Sequence, residues 1–112
     1  MSRTIITNSG SKFFTNVSSE QFIGELCKEI GGVFYFFKHG DYEFISMAYS
    51  MTEDDALYVA SEFIKLSERV DDEFLKKYKH YFNNDVNIDS FKETILYYAD
   101  LFEKSKGYDC AS

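Results

Sequence analysis

The chain predicts an α+β domain, a small antiparallel sheet packed against helices in the order ββ-α-ββ-α-α-α, and three observations carry that expectation. Two pairs of short apolar runs are each joined by turn chemistry, at residues 8–11 and 39–41. Four longer segments repeat apolar residues at helical spacing behind recognisable caps. The 112 residues contain no proline, no internal repeat and no linker-like stretch, which fits one domain and not two. That domain is expected over residues 1–107, with 108–112 as a frayed tail.

Residues 4–7 (Thr-Ile-Ile-Thr) and 12–16 (Lys-Phe-Phe-Thr-Asn) read as a first hairpin. A helix follows, with Ser18 placed to cap it, Gln21 in the capping-box position, and Val17 and Phe22 as an apolar staple. Phe22, Ile23, Leu26, Cys27 and Ile30 form its inward stripe, and Gly31-Gly32 ends it. Val33, Phe34, Tyr35, Phe36 and Phe37 are then apolar on both faces, as in a central strand covered on two sides. His39-Gly40-Asp41 turns the chain. Residues 42–49 return as the second strand, with Ile45, Met47, Tyr49 and Glu43 on one face and Tyr42, Phe44, Ser46 and Ala48 on the other.

Thr52 caps a second helix that runs to about Arg69, and Glu53, Asp54 and Asp55 complement its dipole. Ala56, Val59, Ala60, Phe63 and Ile64 are expected to face inward. Asp71-Asp72-Glu73 starts a third helix carrying Phe74, Leu75, Tyr78, Tyr81 and Phe82, broken at Asn83-Asn84-Asp85. A fourth helix, capped by Asn87 or Asp89, carries Phe91, Ile95, Leu96, Ala99 and Phe102 to about Lys104.

Charge is distributed unevenly along the chain. The net charge is −7, yet residues 39–73 alone carry ten carboxylates against Lys65 and Arg69. A field of that sign repels nucleic acid and anionic membrane and draws basic partners inward. No apolar run approaches the ~20 residues that span a bilayer. Residues 1–10 lack the pattern of a signal peptide, so a cytoplasmic protein is expected. The 12 Phe and 9 Tyr are unusually many for this length. Tyrosine joins a large apolar body to a polar tip, which suits either a core reaching solvent or a recognition surface.

Catalytic chemistry is sparse. A nucleophile–base pair needs a histidine beside Ser or Cys, and only His39 and His80 exist, neither with a local carboxylate to orient it. Cys27 and Cys110 are too few and too distant in sequence for a zinc site or a disulfide framework, and read as a buried thiol and a loose tail thiol. Gly31-Gly32 follows a helix and precedes a strand, the reverse of a phosphate-binding loop. The Asp-rich helix starts lack the alternation and central glycine of a calcium loop. Neither catalytic residues nor a cofactor nor a metal is expected, and the chain reads as a non-enzyme.

Tyrosines stand close to the acidic third of the chain, with Tyr35, Tyr42 and Tyr49 on the second hairpin and Tyr58 on the acidic helix. Tyr97 and Tyr98 are adjacent on the last helix, so only one can point fully inward. Rings as anchors among carboxylates that set the on-rate suit a surface gripping a basic protein. The contact is expected at Asp41, Tyr42, Glu43, Asp54, Asp55, Tyr58 and Glu62. Charge and size together point to an inhibitor of the immunity-protein type, neutralising a basic toxin or effector, nucleases above all. The competing expectation is a regulatory or structural subunit whose acidic face confers solubility alone.

Overall fold

Each strand pair closes on itself, so the strands form three separate two-stranded antiparallel ribbons rather than one sheet. The computed structural model describes residues 2–82 and 86–110, and among these four α-helices join and support the ribbons. The mixed α+β class agrees with the sequence and the element order does so roughly, with two short strands, at Ser50–Met51 and Tyr108–Asp109, beyond those expected; the division of the sheet does not follow from the sequence.

The first ribbon pairs β1 (Ser2–Ile6) with β2 (Lys12–Asn16), with Ile5 opposite Phe13 on the buried face. β2 runs without a loop into α1 (Val17–Glu29). The cap is therefore Asn16 and not Ser18: its side chain accepts the Ser19 amide at 2.8 Å, and the Ser19 hydroxyl accepts the Asn16 amide at 2.9 Å. Asn and Ser cap equally well, and the extended backbone left by the strand selects Asn16. Val17 is largely exposed at the first helical position, so the helix start rests on hydrogen bonds and not on an apolar staple with Phe22.

The inward stripe of α1 is as expected, with Phe22, Ile23, Leu26 and Cys27 buried. Phe22 is the hub of an aromatic cluster, its ring 5.3 Å from Phe82, 5.7 Å from Tyr78 and 5.9 Å from Phe91. Such edge-on and tilted pairs add to the area burial of the rings.

The second ribbon pairs β3 (Phe34–His39) with β4 (Tyr42–Met47), in register from Phe34 opposite Met47 to His39 opposite Tyr42. It lies against α1, where Gly24 meets Ser46 so closely that a Cβ at Gly24 would collide with the Ser46 carbonyl group. The central, doubly covered strand expected at 33–37 is not what forms. β3 has one strand neighbour, and Phe34 and Phe36 are exposed, Phe36 at 52%.

A two-residue β5 (Ser50–Met51) leads into α2 (Glu53–Ser67), capped by Thr52 through the Asp55 amide at 3.1 Å. Phe63 and Val59 are fully buried against α4 (Ile88–Ser105) and its neighbours. Between these helices run the short α3 (Asp72–Tyr78) and a 3₁₀ turn, Lys79–Tyr81. Asn87 caps α4 by accepting the Ser90 amide at 2.8 Å. Leu96, expected inward on α4, is exposed, while Phe91, Ile95, Ala99 and Phe102 are buried as expected. The helix break expected at Asn83-Asn84-Asp85 lies outside the described residues.

The expected frayed tail is pinned as far as it is described. Lys106 and Gly107 turn the chain with positive φ (58° and 88°), and a side chain at Gly107 would strike the Met51 carbonyl. β6 (Tyr108–Asp109) then pairs with β5. Tyr108 is buried and donates its hydroxyl to the Ala48 carbonyl at 2.6 Å, and the Cys110 amide donates to the Tyr49 carbonyl at 2.8 Å. A large ring and two sets of backbone bonds hold what composition alone marks as loose. Residues 111–112 lie outside the described residues.

Two outcomes are expected. Gly24→Ala gains helix propensity of roughly 1 kcal/mol but forces α1 off the Ser46 backbone, an overpacking cost of about 1–3 kcal/mol. Net destabilisation on chemical unfolding is expected, and a stabilised variant would show that the contact relaxes freely.

The second outcome is alkaline sensitivity. Burial pushes the Cys27 thiol from 9.0 up to about 12, and burial likewise raises the Tyr108 phenol. In both groups the folded state favours the neutral form, so the stability they contribute is intact below the unfolded values. It is lost as pH rises, for Cys27 between about 9 and about 12. Unfolding free energy should therefore be level up to about pH 9 and then fall. Tyr108→Phe should cost roughly 1–3 kcal/mol at pH 7, because the Ala48 carbonyl is left without its donor. Urea unfolding of both proteins across this range is the check.

Candidate protein-binding surface

The acidic third of the sequence divides among three elements: the tip of the β3–β4 ribbon, α2 with its C-cap Glu68, and the start of α3, where Asp71, Asp72 and Glu73 are exposed. On α2 the first-turn residues Glu53 and Asp54 are exposed, while Asp55 and Glu62 are half-buried. Of the ten carboxylates in residues 39–73, only Glu62 belongs to an ion pair among the described residues, 3.8 Å from Lys65. The remaining negative charge therefore stands uncompensated. Apolar side chains lie among these charges, since Leu57, Tyr58 and Ile64 are all exposed. Ile64 was expected inward; the inward stripe continues instead through Phe63 and Leu66. Tyr58 has a double character. Its ring is 45% exposed, yet its hydroxyl donates to the Ile30 carbonyl at 2.9 Å, tying α2 to the end of α1.

Asp41 and Glu43 lie with Tyr42 at the tip of the β3–β4 ribbon, all three exposed. The ribbon carries a chain of rings on the face that includes Tyr35 and Ser46. Tyr49 meets Tyr35 at 4.6 Å, Tyr35 meets Phe37 at 6.5 Å, Phe37 meets Phe44 at 5.0 Å, and Phe44 meets Tyr42 at 5.8 Å. Tyr42 is 61% exposed and Tyr49 54%. Alternation along a continuous strand would set Tyr49 on the opposite face with Ile45 and Met47. β4 ends at Met47, and the bend that follows returns the Tyr49 ring to Tyr35.

Below these rings lies a groove of about 370 Å³, walled by Tyr35, Phe37, Phe44 and Tyr49 and closed by Arg3, Glu20 and Gln21. Arg3 donates twice to the Glu20 carboxylate, at 2.6 and 3.0 Å, and the Thr15 hydroxyl donates to the same group at 2.7 Å. The bond to Glu20 raises the Arg3 pKa against the opposing effect of burial. The groove therefore carries mutually neutralised charge and open aromatic surface. Its volume is at the lower end of ligand pockets and too large for a packing defect.

The expected contact residues thus fall in two groups. Asp41, Tyr42 and Glu43 occupy the ribbon tip; Asp54, Asp55, Tyr58 and Glu62 belong to α2. Tyr58 ties α2 to the chain at Ile30, just before the ribbon begins, whereas the tip is the far end of the six-residue strand β3. Of the aromatic wall, Tyr35 stands out in the sequence only as a tyrosine near the acidic third, and Phe37, Phe44 and the Arg3–Glu20 pair were not singled out. The signal available was Gly24, a mid-helix glycine that marks close approach by another backbone.

His39 lies beside the Phe37 ring at 6.2 Å and His80 beside Tyr81 at 4.2 Å. Cys27 and Cys110 are both free thiols, the first buried and the second half-buried. Among the described residues no cluster of three or more His, Cys, Asp or Glu could hold a metal ion, and no helix is long and apolar enough to cross a membrane. No protein-family model, curated protein or solved structure matches the chain.

The two exposed tyrosines should differ in a stability test. Tyr58→Phe removes the bond to Ile30 and should cost about 0.5–1.5 kcal/mol. Tyr42→Ala, out on the tip, should change stability by under about 0.5 kcal/mol. Equal effects in chemical unfolding would mean that the tip is part of the core scaffold.

Proposed function

We propose that this protein is a non-enzymatic, cytoplasmic inhibitor of the immunity type, which covers the basic site of a nucleic-acid-cleaving toxin or effector. The observation that carries this reading is the uncompensated acidity of residues 39–73, in which only Glu62 has a cationic partner among the described residues. Nucleases are basic where they hold phosphate, so a surface with unpaired carboxylates is attracted to that site from a distance. Exposed apolar groups supply the short-range part. Leu57, Tyr58 and Ile64 stand among the α2 charges, and Tyr42 stands beside Asp41 and Glu43. Such rings and aliphatic chains hold a complex once charge has brought it together.

The test starts with affinity capture of the partner from the native host, followed by surface plasmon resonance at two salt concentrations. Replacing Asp54, Glu62 and Glu68 by Lys should lower the association rate at least tenfold, with circular dichroism unchanged. Added salt should slow association of the unmodified protein far more than it alters dissociation. Tyr42→Ala should act on the dissociation rate. If the triple reversal leaves both rate constants unchanged, the acidity is solvation alone. The chain is then better read as a regulatory or structural subunit.

A further inference from the structure

Along the solvent side of α2, Asp54, Leu57, Ser61, Ile64 and Glu68 are all exposed. Their spacing is three, four, three and four residues, the spacing of one seam of a coiled coil. The seam runs about 21 Å at ~1.5 Å per residue, from the first turn of the helix to its C-cap. Its two apolar positions, Leu57 and Ile64, lie one heptad apart with the small Ser61 between them. Its two ends are carboxylates with no ion pair among the described residues. The opposite side of the helix is committed to the core through Val59, Ala60 and Phe63, so the seam is a second and unpartnered stripe on the same helix.

We infer that this seam docks a single basic amphipathic helix of the protein partner, with apolar side chains against Leu57 and Ile64 and Lys or Arg at either end against Asp54 and Glu68. The inference rests on the inhibitor reading above and names the element of the partner that α2 receives. Charge selects this occupant over a second copy of the chain. An antiparallel pair of α2 helices would set Asp54 of one copy against Glu68 of the other, and a parallel pair would set each carboxylate against itself. Both arrangements bring like charges together between molecules of net charge −7. A helix with cations at the matching ends meets complementary charge at both. Ser61 leaves room at the centre of the seam, where a bulky partner residue can approach the α2 backbone.

The probe is a synthetic 15-residue helical peptide with Leu at heptad positions a and d, Lys at both ends, and Ala and Gln elsewhere. Two controls carry Glu in place of Lys, or the same composition scrambled. Amide chemical-shift mapping on the unmodified protein should place the Lys peptide's effects on residues 54–68. The Glu and scrambled peptides should bind at least tenfold more weakly, and Leu57→Ser with Ile64→Ser should weaken the Lys peptide at least tenfold. Shifts confined to the ribbon groove, equal binding of the scrambled peptide, or no binding at millimolar peptide would each overturn the seam. A dimer of the unmodified protein in sedimentation that Leu57→Ser dissociates would overturn it too, in favour of self-association.

The captured partner separates the two readings. If the Leu57 and Ile64 variants bind it normally while the Asp54, Glu62 and Glu68 reversal does not, the seam fails and the inhibitor reading stands. If neither set changes binding, both fail.

Discussion

A two-stranded ribbon is marginal in water by itself, because half its backbone edges and at least one of its faces have nothing to pack on. Among the described residues the strands form three such ribbons and no larger sheet, so each depends on a helix for support. α1 supports two of them. It continues directly from β2, it holds Thr15 through Glu20, and it lets the Ser46 backbone lie against Gly24 where any larger residue would intrude. The end of α4 supports the third, through the turn at Lys106 and Gly107 and the buried ring of Tyr108. The contact at Gly24 has the widest consequences. It holds β3–β4 along α1, with Met47 buried in the core, while the rest of the ribbon is half-buried or exposed.

That constraint explains the aromatic surface. A strand covered on both sides buries its rings in the core, whereas a ribbon clamped by one helix can only stack them on each other. The run from Tyr49 through Tyr35, Phe37 and Phe44 to Tyr42 is such a stack. The groove beneath it lies between the ribbon and the first turns of α1, lined by Val17, Glu20 and Gln21 on the helix and by Ser2 and Arg3 of β1.

What could be read from the sequence was local. Thr52 and Asn87 cap their helices because their side chains and the amides three residues on belong to the same turn, and no distant contact is needed. The inward faces of α1 and α2 followed from periodicity, apart from Ile64, whose angular position lies at the margin of the stripe. Expectations failed where a second element decides. Residues 33–37 show period and composition, but nothing in them says whether a further strand or helix will cover the outer face. Tyr49 changed face because β4 ends two residues before it, and composition does not mark that end. Tyr108 was read as tail because its partner, the Ala48 carbonyl, lies sixty residues away in the chain. The seven expected contact residues were legible as charges and rings, but not as two sites, since only the fold sets the ribbon tip apart from α2.

The placement of those residues on two elements, a ribbon tip and a helix, bears on the proposed contact. At physiological ionic strength charges beyond about 8 Å are largely screened from one another, so acidic groups carried on the ribbon tip and on α2 reinforce one another only where they lie within that range. α2 holds more of the unpaired charge, and it also holds an apolar stripe on a rigid helix clamped against α4. The tip holds less charge and exposed rings, on an element braced from one side. A partner drawn in by charge would therefore meet α2 as a firm surface, where little ordering entropy remains to oppose binding. The ribbon, freer to shift its rings, is better suited to adapt to whatever lies beside that first contact.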